Sequence, residues 1–415
     1  MLTRLKFLFL RSWHVLLSPV VLLMPRDSKK IVFGAWLGKQ FSDNPKYFLK
    51  WCLENTDLKC YWIGEKSVAP LVGEVPGVKF VERGTLAAYW HWLTAKWSVC
   101  NIHWQADIHF LPTCGRIVNL NFWHGISLKR LGANQLNGKG VVEGVETHRS
   151  FLRRLVHGFN AVVARWLYPE TAWTTCSNRD MIRILRDSCA GRFAEERTIV
   201  EGQPRNDFLV NNRDNDALRQ SLKDKYARLL GLPADKRWYL YLPTWRHDLK
   251  DTFSFLRSAR RSDYEQILCE QNAILIEKQH PIVLNAMNLG GTREANIFVL
   301  SAADSAKIDL QELLLASDRL ITDYSSCFFD FETLKRPIVH FAYDYEFYKN
   351  TDSGLEYELR DVAGGAVVER EDELVAKLKE SDEQLLRQRG PGADGLIVGE
   401  TGHACERFAK WMKLI

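Results

Sequence analysis

From residue 31 onward, short runs of apolar, β-branched and aromatic residues recur along the chain. Most are followed by a stretch with helical spacing. In the first half the runs fall at 31–36 (IVFGAW), 59–63, 78–82, 97–101, 116–121 and 172–177, with helical stretches at 43–55, 85–95 and near 148–168. In the second half they fall at 198–202, 238–243 (WYLYLP), 273–278, 297–301, 319–323 and 337–342. Helical stretches at 215–230, 262–271, 309–317 and 326–335 lie between those runs. Strands alternating with helices predict an α/β protein whose parallel sheets are covered on both faces. A chain of 415 residues exceeds one ordinary core. Two such series therefore predict two Rossmann-like domains, 29–200 and 201–400, facing a central cleft, with ligands beyond the carboxyl ends of the strands. Residues 401–415 read as an amphipathic helix, with Cys405, Phe408, Trp411, Met412 and Ile415 on the stripe that packs on the body.

Charge changes the picture at the amino end. Residues 1–50 carry nine Lys/Arg against Asp27 and Asp43, an excess of +7 in a chain whose net charge is +5. A basic amino end on a near-neutral body speaks against a nucleic-acid partner and for an anionic membrane surface. The first 25 residues are apolar, but Arg11, His14 and Pro19 interrupt them, leaving too little clean length for a span of about 20 residues. Segment 1–28 is therefore expected to be a membrane-associating helix, with Phe7, Leu8, Trp13, Leu16 and Leu17 in the headgroup boundary; the alternative is a helix packed on its own domain. That implies a peripheral protein on the cytoplasmic face of the membrane. The nine cysteines are odd in number, scattered and never at CxxC spacing, which fits a reducing compartment and no zinc site.

Absent motifs narrow the chemistry. There is no GxGxxG, GxxxxGK[ST], HExxH or GxSxG; the nearest approach, Gly132 to Gly138-Lys139, has the wrong spacing. Dehydrogenases, P-loop NTPases, zincins and α/β-hydrolases are thereby disfavoured. No carboxylate cluster demands a metal; the sequence requires no cofactor and leaves a divalent ion open.

Five segments carry candidate chemistry at expected strand ends. In NLNFWHGISLKRLG (119–132), Gly125 allows a sharp turn that would present His124, an imidazole able to take a hydroxyl proton near neutral pH. Lys129 and Arg130 follow as acceptor-side or phosphate contacts. A lone histidine after a strand more often packs than reacts, so the case rests on the company it keeps. In IEKQHPIV (276–283), Lys278 and His280 close a strand that Pro281 terminates. In LITDYSSCFFDFETLKRPIVHF (320–341), Asp323 ends a strand, and Ser325 and Ser326 open a helix whose free amides favour an anion. Arg205, Asn206 and Asp207 read as a turn after a strand in EGQPRNDF. Thr244, Trp245, Arg246 and His247 do so in YLPTWRHD. Arginine forks suit phosphate.

Taken together, WHGISLK, GQPRND, PTWR, KQHP and TDYSS…LKRP resemble the CDP-glycerol glycerophosphotransferases of teichoic acid synthesis and related capsule and polyol-phosphate transferases. VFGAWLGKQFSDNPKYF and ACERF extend the resemblance from about residue 30 to 410. It implies a GT-B-like fold, a CDP-glycerol or CDP-ribitol donor held by the carboxyl-terminal domain, and a lipid-linked saccharide or polymer acceptor. It also implies that His124 is the general base and that His280 contacts the donor phosphates as CMP leaves. Arg246, Ser325 and Ser326 would bind donor phosphate, with Asp323 as orienter or ribose contact and Arg205, Asn206 and Asp207 lining the cleft. Gly402-His403 departs from the Asp-Gly of relatives. The extra repeats of longer polymerases are missing, which fits a priming transferase or a compact polymerase. The competing readings are a GT-B sugar-nucleotide glycosyltransferase and a non-catalytic membrane assembly protein.

Overall fold

The computed structural model describes residues 15–109, 114, 116–131, 135–136, 172–188, 198–244, 246, 252–280, 283–284, 290–390 and 392–415. The helix expected near 148–168, together with Phe7, Leu8, Trp13, Gly132, Gly138, Lys139, Trp245, His247 and Pro281, lies outside them.

Among the described residues two seven-stranded sheets organise the chain. The first contains β1 (Asp27–Phe33), β2 (Lys59–Gly64), β3 (Lys79–Glu82), β4 (Ala95–Cys100), β5 (Val118–Asn121), β6 (Ala172–Cys176) and β7 (Thr198–Val200). Their order is β3-β2-β1-β4-β5-β6-β7, and every pairing is parallel. The second contains β8 (Arg237–Leu242), β9 (Ala273–Glu277), β10 (Arg293–Glu294), β11 (Ile297–Val299), β12 (Arg319–Thr322), β13 (Ile338–Phe341) and β14 (Ala366–Val368). It runs β10-β11-β9-β8-β12-β13-β14, parallel except for the β10–β11 edge hairpin. Setting β10 aside, both sheets follow the doubly wound order, with the strand sequence reversing direction beside β1 and beside β8. A doubly wound sheet takes its ligand at such a reversal. His124 and Lys278 follow strands one removed from it, Thr244, Arg246 and Asp323 follow the two strands that flank it, and Arg205, Asn206 and Asp207 follow the edge strand β7.

Burial explains the strand sequences. β9 is buried along its whole length (AILIE), as is β12 (RLIT), because helices cover both faces. The helix Ala404–Trp411 returns to the first sheet and buries Ala404, Cys405, Phe408 and Ala409, with the Phe408 ring 4.8 Å from Phe122. Ile415, on the expected stripe, is instead exposed.

Three local readings change. The segment around Arg205 is not a turn but the first turn of the helix Pro204–Asn212, begun by a proline whose missing amide hydrogen costs nothing there. The helix expected over 326–335 is only Cys327–Glu332. Beyond it the chain tightens into i→i−3 bonds, Leu334 to Phe331 and Lys335 to Glu332, and Lys335 turns left-handed (φ 53°). Ser326 occupies its N-cap position but makes no side-chain capping bond, because its own backbone is already helical (φ −62°, ψ −11°).

Candidate active site

His124 sits in a tight turn three residues beyond β5. Trp123 is left-handed (φ 53°) and Gly125 has φ 127°. A Cβ at position 125 would lie 2.7 Å from Arg205 Nη2, so only glycine fits. The imidazole stacks on Trp123, with centroids 4.4 Å apart, and lies 5.5 Å from Trp36. Burial pulls its pKa down to about 4; Asp43 opposes that, while Arg205 and Lys129 add to it. The ring is therefore neutral at pH 7 and able to accept a proton.

The next residues cross to the second sheet's side. Lys129 bridges to Leu355, Arg130 donates its backbone N–H to Gly354 O (3.0 Å), and Glu356 donates its own to Leu128 O (2.8 Å). This antiparallel contact carries Lys129 to the edge of the second half. Burial holds its ammonium below the usual lysine range, with Asp323, Asp352 and Arg246 also acting on it.

From the second half, Lys278 and His280 follow β9. Lys278 is lowered by burial, and His280 by burial and then by Lys278 and Lys129. Three potential cations, one from the first half and two from the second, thus share one field. Ser325 and Ser326 are half-buried, and Ser326 Oγ is 3.6 Å from the point a Cβ on Gly125 would occupy. The WHG turn and the serine turn therefore meet. His124, Lys129, Lys278, His280, Ser325 and Ser326 form an apposition of polar groups across the boundary between the halves.

The other candidates have their side chains engaged elsewhere. Arg205 is buried, donating to Asp43 (2.7 Å), Asp330 (2.9 Å) and the carbonyl of His124 (3.1 Å). Asn206 is buried beside Asp330 and Glu400 and lowers the proton affinity of both carboxyls. Asp207 faces the far side, where its carboxylate accepts the amides of Ala404 (2.8 Å) and Cys405 (2.7 Å), capping the C-terminal helix. Arg246 is held by Asp344 (2.7 Å) and Asp323 (2.8 Å) and lies 5.0–5.3 Å from the rings of Tyr324, Tyr343 and Tyr348. Thr244 gives its backbone N–H to the same Asp323 (2.8 Å). Arg130 Nε reaches Leu355 O at 3.3 Å. The sequence reading missed Asp43, Asp330 and Asp344, the carboxylates that occupy the arginines. The one available signal was their proximity to the motifs, in SDNPKYF, SSCFFDF and FAYDY.

Among the described residues no group of three or more His, Cys, Asp or Glu is placed to hold a metal ion.

The chain matches the family model for CDP-glycerol:poly(glycerophosphate) glycerophosphotransferase over residues 16–410. It is similar to the teichoic acid poly(glycerol phosphate) polymerase of Bacillus spizizenii W23, 32% identical over 369 residues covering 86% of this chain and 84% of that one. It is also similar to the teichoic acid glycerol-phosphate transferase of Staphylococcus aureus, 27% identical with 96% of each chain covered. Among solved structures, the wall teichoic acid polymerase TagF aligns with a TM-score of 0.71 and 28% identity, covering 99% of this chain and 96% of that chain. The parallel sheets and their order agree with that GT-B-like likeness. The chain is a glycerophosphotransferase and belongs to the CDP-glycerol:poly(glycerophosphate) glycerophosphotransferase family.

Proposed function

We propose that this protein transfers glycerol phosphate from CDP-glycerol to a hydroxyl of a lipid-linked polymer or saccharide in teichoic acid synthesis, releasing CMP. The observation that carries this reading is the meeting of the His124 turn with the Ser325–Ser326 turn, in the field of Lys129, Lys278 and His280. An acceptor oxygen attacks the phosphorus that bears glycerol, and the bridging P–O bond to CMP breaks. His124 takes the acceptor proton. The arriving diphosphate raises the proton affinity of that ring, bringing a base that is weak in the empty site toward the operating pH. Lys278 and His280 meet the negative charge that grows on the departing CMP phosphate, and the Ser325 and Ser326 hydroxyls orient the donor. In this reading Arg205, Asn206, Asp207, Thr244, Arg246 and Asp323 shape the site from behind rather than touch substrate.

The same reading puts the enzyme against an anionic membrane. Residues 15–23 are helical; Leu17 packs on the cluster containing Ala88 and Trp92, and Val21 is buried. Leu16, Val20 and Leu23 stay exposed, as do Leu86 and Trp90 on the helix Leu86–Thr94. Arg26 ties the two segments together through Trp92 O and Ala95 O. Among the described residues no helix is long and apolar enough to cross a bilayer. An apolar face of this kind supports lying in the interface.

The test is titration calorimetry with CDP-glycerol, CDP-ribitol and UDP-glucose, then CMP release with a lipid-linked acceptor, with and without anionic vesicles. Binding of a CDP-polyol and acceptor-dependent CMP release are expected, faster with vesicles. Binding of UDP-glucose and of neither CDP-polyol would sink the donor assignment.

A further inference from the structure

Among the described residues nine non-glycine positions have positive φ, and four of them, Trp36, Leu37, Asp43 and Trp123, gather around His124. Left-handed backbone at such residues is strained by about 1–3 kcal/mol each and persists only where surrounding contacts over-determine it. Leu37 is held by Asp107, at 2.8 Å from its backbone N–H; at Trp36 and Trp123 the contacts converge on two consecutive residues, Asp43 and Asn44, at the start of the helix Asp43–Asn55.

Asn44 is fully buried. Its Oδ1 accepts the backbone N–H of Arg205 at 3.0 Å, which fixes the orientation of its amide. Its Nδ2 then donates to the carbonyls of Phe122 and Trp123, both at 3.1 Å, and to Gln203 Oε1 at 2.6 Å. The next carbonyl, that of His124, accepts from Arg205 Nη1 at 3.1 Å. Three consecutive carbonyls leading into the imidazole are thus held by donors from one cluster. Asp43 organises that cluster. One carboxylate oxygen takes Arg205 Nη1 at 2.7 Å; the other takes the Trp36 indole N–H at 3.1 Å and Asn101 Nδ2 at 2.9 Å. Asn101 Oδ1 in turn accepts the Trp36 backbone N–H at 3.0 Å. The same carboxylate therefore fixes the arginine under the turn and the indole beside the ring.

We propose that Asp43 and Asn44 are positioning residues for His124. They hold the WHG turn in its left-handed conformation, so that the imidazole stands at a fixed place against the acceptor hydroxyl. The crevice beside β1, where a doubly wound sheet would ordinarily take a ligand, is filled by this device, and its product is presented one strand farther along. The inference rests on His124 being the base in the transfer proposed above.

Asp43→Asn, Asn44→Ala and Trp36→Phe are compared with the full-length enzyme in the CMP-release assay, after each is shown by circular dichroism to be folded. Asp43→Asn and Asn44→Ala are expected to lower kcat about 10²-fold. The KM for CDP-glycerol should stay within about threefold, because the donor is held by the other half. Trp36→Phe, which removes the indole N–H that the Asp43 carboxylate accepts, should lose roughly tenfold and decides the matter if the other two do not fold. Asp43→Glu, keeping the charge, should recover part of the loss. Each variant is repeated in His124→Ala, where a group acting through His124 has nothing further to lose. Equal losses with and without His124, or kcat within threefold of wild type in every folded variant, would overturn the proposal. If His124→Ala itself turns over normally, the base assignment falls and this inference with it. If His124→Ala is inactive while Asn44→Ala is normal, only this inference falls.

Discussion

Two buried arginines look alike in the sequence, each in a polar segment after a strand, and do different work. Arg246 is enclosed within the second half: both of its carboxylates, Asp323 and Asp344, and all three tyrosine rings come from there. Arg205 joins the halves, with Asp43 from the first and Asp330 from the second, and it also touches the His124 turn. One is a buttress inside the second half; the other is a rivet through the boundary. The site they support is correspondingly uneven. His124 is gripped through its backbone and walled by two tryptophans, whereas Lys278 and His280 follow the regular strand β9. A base must be placed to within a fraction of an ångström of one oxygen. Cations facing a diphosphate act through a field that tolerates small displacement.

That contrast can be broken in steps. The largest effect is expected at the rigid side: His124→Ala should lower kcat about 10²–10⁴-fold with little change in donor KM, whereas Lys278→Ala should lower kcat/KM for CDP-glycerol only about 10–10²-fold, largely through KM. Steady-state CMP release with the folded variants separates the two. Next comes the buttress. Arg246→Met leaves the Asp323 and Asp344 carboxylates without their cation and should destabilise the fold by about 3–5 kcal/mol in urea unfolding. A loss below about 1 kcal/mol would mean that Arg246 is free to serve substrate after all.

The smallest effect is a pH slope. Burial pushes the Glu277 carboxyl up to about 7 from 4.5, although the Gln279 side chain and the Phe255 amide hydrogen-bond to it. The folded state then holds this proton more tightly than the unfolded chain does. The contribution is fully present below pH 4.5 and is lost as pH rises toward 7. Glu277→Gln should remove roughly 1–3 kcal/mol of that slope. Urea unfolding at pH 5 and pH 8 measures it, and an unchanged difference between the two pH values would refute the assignment. Glu400, also pushed to about 7 by burial, remains as a background slope in both proteins.

The motifs were legible because they are local. WHG, KQHP and TDYSS each end a strand whose apolar run is visible in one dimension, and glycine after histidine signals a turn. What each side chain does there was not legible. Arg205 and Arg246 were read as phosphate forks, yet their partners are set by contacts such as Arg205 with Asp43, 162 residues away. Asp207, two residues from Arg205 in the same motif, turns out to cap a helix 197 residues on. Ser326 was read as an N-cap from its type and place, and its backbone conformation, set by packing of the short helix behind it, removed that role.

By itself the sequence determined the alternation of strands and helices, the basic apolar amino end, and the histidines, lysines and serines at strand ends, because period, charge and turn chemistry are properties of neighbouring residues. Only the tertiary structure decided the order of strands in each sheet, the crossing of residues 128–130 to the second half, and which charged groups face each other across the boundary or cancel behind it. Those outcomes depend on pairs far apart in the chain, brought together by burial, and the desolvation that sets the His124 proton affinity exists only once the turn is enclosed.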